Sequence, residues 1–582
     1  MFLQLPPYRG SRKLQVFPSM CKRGERLLLL LLFIIVPALC FAQPSPVKKA
    51  AKNMFKLTTF SEDGNILHTG YGVFVAADGT CLSNWEPFIG ASSANIIDGN
   101  GRKYDVDCLI GANEIYNVAK FRVIVPKEKK MQIVPLTIAE SQIAAGGQCW
   151  LIEYDVKAPG IKKYAPTTVE TFATSLPYYI FEQTAAEELA GSPFLNDAGE
   201  LMGLMQPAKR RTDIYCPSAQ YGMTLSTSGL TANEPTIRQT SMRIALPNDY
   251  SQAALAMMMA SGHFSSPNYL ATANEFITLF PDKNDGYVAK ADYLAATGDY
   301  EGSAAAIKEG IEKVETKADM HHSFSKIIYN KMLYNTDSTF TAWTLDNALA
   351  EADEAINLDP QPIYKMQKAK TLYVMKKFDD AYQCFYDLKD TPMRSGETFY
   401  YAALSKENAG APVEEVEVLM DSMVACYGQP YRNEAAPYLL IRGKWLDEKG
   451  KSRKAIADFN AYEELLKQNV NATFYYTREQ VELRAKMYQL ALNDIDKAIE
   501  KEPREAMYRA EKALLLVRVN YLDDAIKTSE ETERLFPQYG DGYAIHGLAL
   551  ILKKKKAEGM QLLNKAKELD SPLADQFIEK YQ

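Results

Sequence analysis

Apolar positions follow two different periods along this 582-residue chain. Between about residues 48 and 248 they come in short runs punctuated by turn residues. Gly70-Tyr71-Gly72-Val73-Phe74-Val75-Ala76 is an apolar strand opened by glycine, Ala77-Asp78-Gly79 is a hairpin turn, and Thr80-Cys81-Leu82-Ser83-Asn84 begins the return strand. Further strands are predicted over 93–97, 103–110 and 118–123, with a turn at Asp98-Gly99-Asn100-Gly101. A second strand set covers 148–152, 167–174 and 179–181. Many short strands separated by turns imply an all-β barrel or sandwich.

From Ser266 onward the period becomes helical, and the pattern repeats every 34 residues. Ala491, Ala525 and Gly559 share this spacing, as do Ala498, Thr532 and Ala566, Ala513 and Gly547, and Pro503 and Pro537. Ala348, Ala355 and Pro360 repeat the internal spacing of Ala491, Ala498 and Pro503. Small residues at fixed intervals are what two closely crossing helices require, and proline stops the second helix. The pattern resembles the tetratricopeptide repeat, and about eight units of that length fit residues 266–582, one of them interrupted around Asn335 to Phe340. Residues 249–265 are expected to be the linker, with a short helix over Ala253–Met259.

At the amino end Leu27 to Leu39 is an apolar run broken only by Pro37, preceded by Lys22, Arg23 and Arg26 and followed by Cys40-Phe41-Ala42. That order of charged, apolar and small residues is a secretory signal, expected over 1–42, with Gln43 opening the mature chain. Met20 starts a signal of ordinary layout, which places residues 1–19 upstream of the expected start; a lipid anchor on Cys40 is the alternative. Export to the periplasm or cell envelope follows, with no membrane span after cleavage.

Composition changes this picture little. A hydrophobic content of 47% and a net charge of −7 describe a globular protein and argue against a nucleic-acid role, because phosphate binding needs clustered cations. Lys553-Lys554-Lys555-Lys556 is the one dense basic block, read as a solvated helix turn. Six cysteines follow the signal: Cys81, Cys108, Cys149, Cys216, Cys384 and Cys426. They form no CxxC pair and no zinc-spaced cluster, so neither a metal nor a cofactor is expected. The first four permit disulfides of undetermined pairing, or buried free thiols.

Candidate chemistry centres on Glu188-Leu189-Ala190-Gly191-Ser192-Pro193-Phe194, continuing through a polar turn to Leu201-Met202-Gly203. With the hairpin ending Leu82-Ser83-Asn84-Trp85-Glu86 and the strand Asn117-Val118-Ala119-Lys120-Phe121-Arg122, it resembles the trypsin-like serine proteases of the HtrA type over roughly Gly70 to Gln206. The resemblance implies a two-barrel fold and places Glu86 where the family has its histidine, Asn117 where it has aspartate and Ala190 where it has the nucleophilic serine. Alanine has no attacking oxygen, Glu86 is a far weaker base than imidazole, and Asn117 cannot stabilise an imidazolium. The family's oxyanion hole would use the amides of Ala190 and Glu188. Ser192 is the alternative nucleophile, His68 is expected on the solvent face of a strand, and no motif sets a second carboxylate beside Glu86.

The sequence therefore predicts a multidomain chain: a signal peptide (1–42), an all-β two-barrel trypsin-like domain (48–248) without its catalytic triad, a linker (249–265) and an all-α tetratricopeptide-repeat superhelix (266–582). The expected function is an exported, non-catalytic interaction scaffold that binds protein or peptide partners in the repeat groove. The alternative is an active serine endopeptidase with an atypical site. The 35 tyrosines suit either groove contacts or packing between helices.

Overall fold

The computed structural model describes residues 43–582 apart from 127–132, 174, 184, 208–212, 264–265, 335–338 and 582. The signal expected over 1–42 lies outside the described residues, as does part of the interrupted repeat at Asn335 to Phe340.

Alternation of large apolar and polar side chains closes the first six strands into a barrel. These are β1 (Met54–Phe60), β2 (Ile66–Phe74), β3 (Thr80–Ser83), β4 (Ser93–Asp98), β5 (Lys103–Asn113) and β6 (Val118–Val123), in the order β1-β2-β3-β6-β5-β4. β1 completes the ring by pairing antiparallel with both β2 and β4. Phe55, Leu57, Phe74, Trp85, Phe88, Tyr104 and Phe121 fill its interior. Several of these rings meet edge to face, as in Phe55–Phe74 at 5.2 Å between centroids, while Trp85 and Phe88 stack.

The second strand set forms two sheets. β7 (Cys149–Glu153), β8 (Gly160–Tyr164), β11 (Pro193–Leu195) and β12 (Leu201–Leu204) run in the order β12-β11-β7-β8. β9 (Thr168–Phe172), β10 (Leu176–Phe181), β13 (Gln206–Pro207) and β14 (Ile214–Pro217) run β13-β14-β10-β9. A bridge between Gly203 and Ser218 joins them, and Phe181 and Phe194 stack across the space between at 4.5 Å. Gly203 has no alternative there: a Cβ would lie 2.1 Å from the Pro217 carbonyl. The helix Ser45–Ala50 packs Val47 and Ala50 against Trp150, Leu195 and Leu201 of this second core.

Two compact units make up the chain, one ending at Pro281 and one covering Asp282–Gln582. The division falls past the expected boundary at 265/266. Asp249 caps the helix Tyr250–Ala260, which covers the short helix expected over Ala253–Met259, and the helix Pro267–Leu279 belongs to the barrel unit. Glu275 on that second helix accepts hydrogen bonds from Arg122 and Arg243, which fixes the helix to the β-structure.

Among the described residues the second unit is eight consecutive helix pairs, from Asp285–Ala296 with Tyr300–Lys313 to Gly540–Leu552 with Lys556–Glu568, followed by Pro572–Tyr581. The repeated small residues lie where the helices cross: Ala348, Ala355, Ala491, Ala498, Ala525 and Ala566 are fully buried. Pro360, Pro503 and Pro537 each follow the end of a helix. The turns inside the pairs also repeat, with left-handed residues at Lys486, Asn520 and Lys554, each 34 residues after the last. The expected order of classes is observed, an all-β unit followed by an all-α array of helix pairs; within the β unit one closed six-stranded barrel is followed by two four-stranded sheets where a second barrel was expected.

Candidate functional site

The Glu86, Asn117 and Ala190 loops converge on two consecutive residues, Met205 and Gln206. The Met205 carbonyl accepts from Asn84 Nδ2 at 3.1 Å and from the Gly191 amide at 2.9 Å. The Gln206 side chain donates to the carbonyls of Tyr116 and Asn117. All three loops are thus tied to the start of β13. No sequence spacing signals this clamp.

Each position sits where local structure puts it. Trp85 and Phe88 are drawn into the first barrel, so the chain between them turns tightly over Glu86–Phe88 and leaves the Glu86 side chain exposed. Asn117 ends the β5–β6 turn at φ +44°, a conformation Asn tolerates better than most residues. Its Oδ1 accepts the Glu86 backbone N–H at 2.9 Å, so the Asn117 carboxamide is spent on holding the Glu86 turn.

Ala190 follows the single helical turn Glu187–Leu189, and its amide donates to the Glu187 carbonyl at 3.0 Å. One of the two amides expected in an oxyanion hole is therefore engaged within its own loop. Gly191 adopts φ +87° with its Cα against β2; a Cβ would lie 2.3 Å from the Tyr71 carbonyl. Ser192 has no exposed surface, and its hydroxyl has no hydrogen-bond partner among the described residues. His68 lies on the exposed half of β2, opposite Thr59, and supplies no base to it.

A small cavity lies beside the clamp. Asn84, Asn117, Gln206, Ser218 and Tyr221 line a cavity of about 10 Å³, the room of one water molecule. Beside it the rings of Tyr116, Phe172 and Tyr221 cluster at 4.7 to 5.5 Å. The sequence reading missed this aromatic cluster, since its members lie on three separate segments with no shared motif.

Cys81, Cys108, Cys149 and Cys216 are buried free thiols. Burial pushes the Cys108 and Cys149 thiols up to about 12, which keeps them protonated and unreactive. Among the described residues no cluster of three or more His, Cys, Asp or Glu could hold a metal ion, and no helix is long and apolar enough to cross a membrane.

No protein-family model matches the chain. It is 24% identical over 189 residues to the human mitochondrial import receptor subunit TOM70, an alignment covering 31% of this chain and 29% of that protein. The rat and mouse counterparts match to the same extent. The chain thus spans less than a third of the length of the curated relatives it matches. Among solved structures, the active form of the Rv3671c protease from M. tuberculosis aligns at 12% identity and a TM-score of 0.28, covering 32% of this chain and 86% of that one. The HtrA-type protease AlgW with a tripeptide aligns at 16% identity and a TM-score of 0.26, covering 31% and 60%.

Proposed function

We propose that this protein is an exported, non-catalytic interaction scaffold, in which a trypsin-like domain has lost its chemistry and the repeat unit carries the binding surface. One observation supports this above the others: Ala190, which the sequence resemblance puts at the nucleophile position, has its amide bonded to the Glu187 carbonyl. A missing attacking oxygen removes covalent catalysis, and a satisfied amide weakens oxyanion stabilisation. Full burial of the Ser192 hydroxyl argues against the atypical peptidase. The stacked helix pairs of 282–582 present the kind of surface that takes a peptide or a helix from a partner.

Two measurements test the reading. Purified protein should leave unfolded protein substrates uncut and should not react with a serine-directed phosphonate. Cleavage that disappears in Ser192→Ala would overturn it. Crosslinking in the native envelope, followed by pull-downs with each unit expressed separately, should place the captured partner on the helical unit. Capture by the barrel unit alone would reverse that assignment.

A further inference from the structure

One repeat breaks the pattern of its neighbours. Glu479 stands 34 residues before Ala513 and 68 before Gly547, and Glu482 stands at the same intervals before Leu516 and Leu550. Where the later repeats bury a small residue and a leucine, this one buries two carboxyl groups on one face of the helix Ala472–Arg484. Glu479 is 0% exposed and Glu482 is 2% exposed. Among the described residues Glu479 Oε1 and Glu482 Oε2 have no hydrogen-bond partner.

Charged groups face them from each surrounding helix. On the same helix Arg478 pairs with Asp494 of the helix Tyr488–Lys501 at 2.9 Å and with Glu463 of Ser452–Leu466 at 2.7 Å. Lys497 reaches Glu463 at 2.9 Å. From the helix Ala506–Arg518, Glu511 and Arg518 act on Glu479, and Gln480 bonds both Glu479 and Glu511. Arg478 and Lys497 also act on Glu482, and Arg518 on Glu479, so three cations face five carboxyls: Glu463, Asp494, Glu511, Glu479 and Glu482. Ionising Glu479 and Glu482 would therefore leave two buried negative charges in excess of the cations around them.

We propose that the layer in which helix Ala472–Arg484 meets Ala506–Arg518 is a proton-operated weak seam of the repeat array, shut while Glu479 and Glu482 hold their protons and loosened as the pH rises. Burial first, then Glu511, pushes the Glu479 carboxyl up to about 8; burial first, then Asp494, does the same for Glu482. An opened layer releases these protons near the ordinary glutamate value of about 4.3. Through the interval between those values the closed layer binds more protons than the open one, so its stability falls as pH rises from about 5 to 8.

Hydrogen exchange of the full chain, read by mass spectrometry across pH 5 to 8 and corrected for intrinsic rates, tests this. Opening of the helix Ala472–Arg484 should grow with pH, by up to about tenfold per pH unit for each carboxyl. In Glu479→Gln/Glu482→Gln that slope should vanish and protection should rise. Equal slopes in wild type and variant would overturn the proposal. Should the double variant not fold, Glu479→Ala and Glu482→Leu, which install the residues of the next repeat, carry the same comparison. A pH slope that survives both of these substitutions would likewise overturn it.

Discussion

Glu275 closes onto Arg243 across the boundary between helix and β-structure: one carboxylate oxygen takes Arg243 Nη1, and the other takes Arg122 Nη2 at 2.5 Å. Both guanidiniums also reach Asp107 on β5, Arg122 at 2.9 Å and Arg243 at 2.5 Å. Two cations and two carboxylates thus form a closed ring with Arg243 and Glu275 nearly buried. Removing one member leaves a buried charge uncompensated, which costs about 3–5 kcal/mol. Glu275→Ala should therefore lower the stability of the barrel unit by about 3 kcal/mol, measured by urea unfolding with tryptophan fluorescence.

The same ring sets an acid limit. Burial raises the Asp107 carboxyl, but Arg243 and Arg122 outweigh it and hold the pKa below the ordinary value. A depressed carboxyl contributes stability that is present above its unfolded pKa of about 3.9 and is lost as pH falls through the folded value. Acid below about pH 4 should loosen the barrel unit, and Asp107→Asn should lower its stability at pH 7 while flattening the acid loss. A pH series of thermal melts reads both effects. The direction is opposite to that expected for the Glu479 seam, and the windows differ: below about pH 4 for Asp107, between about pH 5 and 8 for the seam.

Ser192 offers a test of the site that does not depend on activity. Its hydroxyl is buried without a hydrogen-bond partner among the described residues, which normally costs about 1–3 kcal/mol. Ser192→Ala should raise stability by about 1 kcal/mol. A catalytic or bonded serine would instead lose activity or stability. Ala190→Ser should remain unlabelled by a phosphonate, because neither Glu86 nor Asn117 supplies a base near neutral pH.

Much of this architecture was readable before any coordinates. Glycine turns and alternating strands announced the barrel unit, and the 34-residue spacing announced the helix pairs, because both depend on local conformation and on small residues at crossings. The clamp of Met205 and Gln206 was not readable, since it joins loops more than 80 residues apart through backbone carbonyls. Nor was the extension of the first unit to Pro281. Pro267–Leu279 has a helical pattern like the repeats after it, and tertiary contacts, the bonds of Glu275 foremost, assign it to the barrel unit. Tertiary pairing of charges leaves no periodic trace.

Gly547 and Gly559 show how tight the crossings are. A Cβ on Gly559 would lie 2.5 Å from the Gly547 carbonyl and 2.6 Å from Ile551 Cγ1. Alanine improves intrinsic helix propensity by about 1 kcal/mol, yet overpacking of a tight contact costs about 1–3 kcal/mol and requires the helices to part. Gly559→Ala should therefore destabilise the last helix pair, seen as faster hydrogen exchange over 540–568. Gly450→Ala makes a useful contrast: no atom lies within 4 Å of its Cβ, but its φ of +74° strains the backbone instead.

The turn at Lys486 carries the last prediction. It adopts φ +60°, and Asn520 and Lys554 repeat the conformation at φ +65° and +67°, while Gly298, Gly410 and Gly450 serve in other pairs. A left-handed lysine costs about 1 kcal/mol that glycine does not incur. The exposed Lys486 side chain makes no compensating ion pair among the described residues. Glycine also gains more freedom in the unfolded chain, which offsets part of the benefit. Lys486→Gly should still raise the stability of the helical unit by about 0.5 kcal/mol, read as a shift in the urea midpoint at constant slope. A loss of stability would show that Lys486 does more than turn the chain, and would direct attention to what its ammonium meets in the assembled protein.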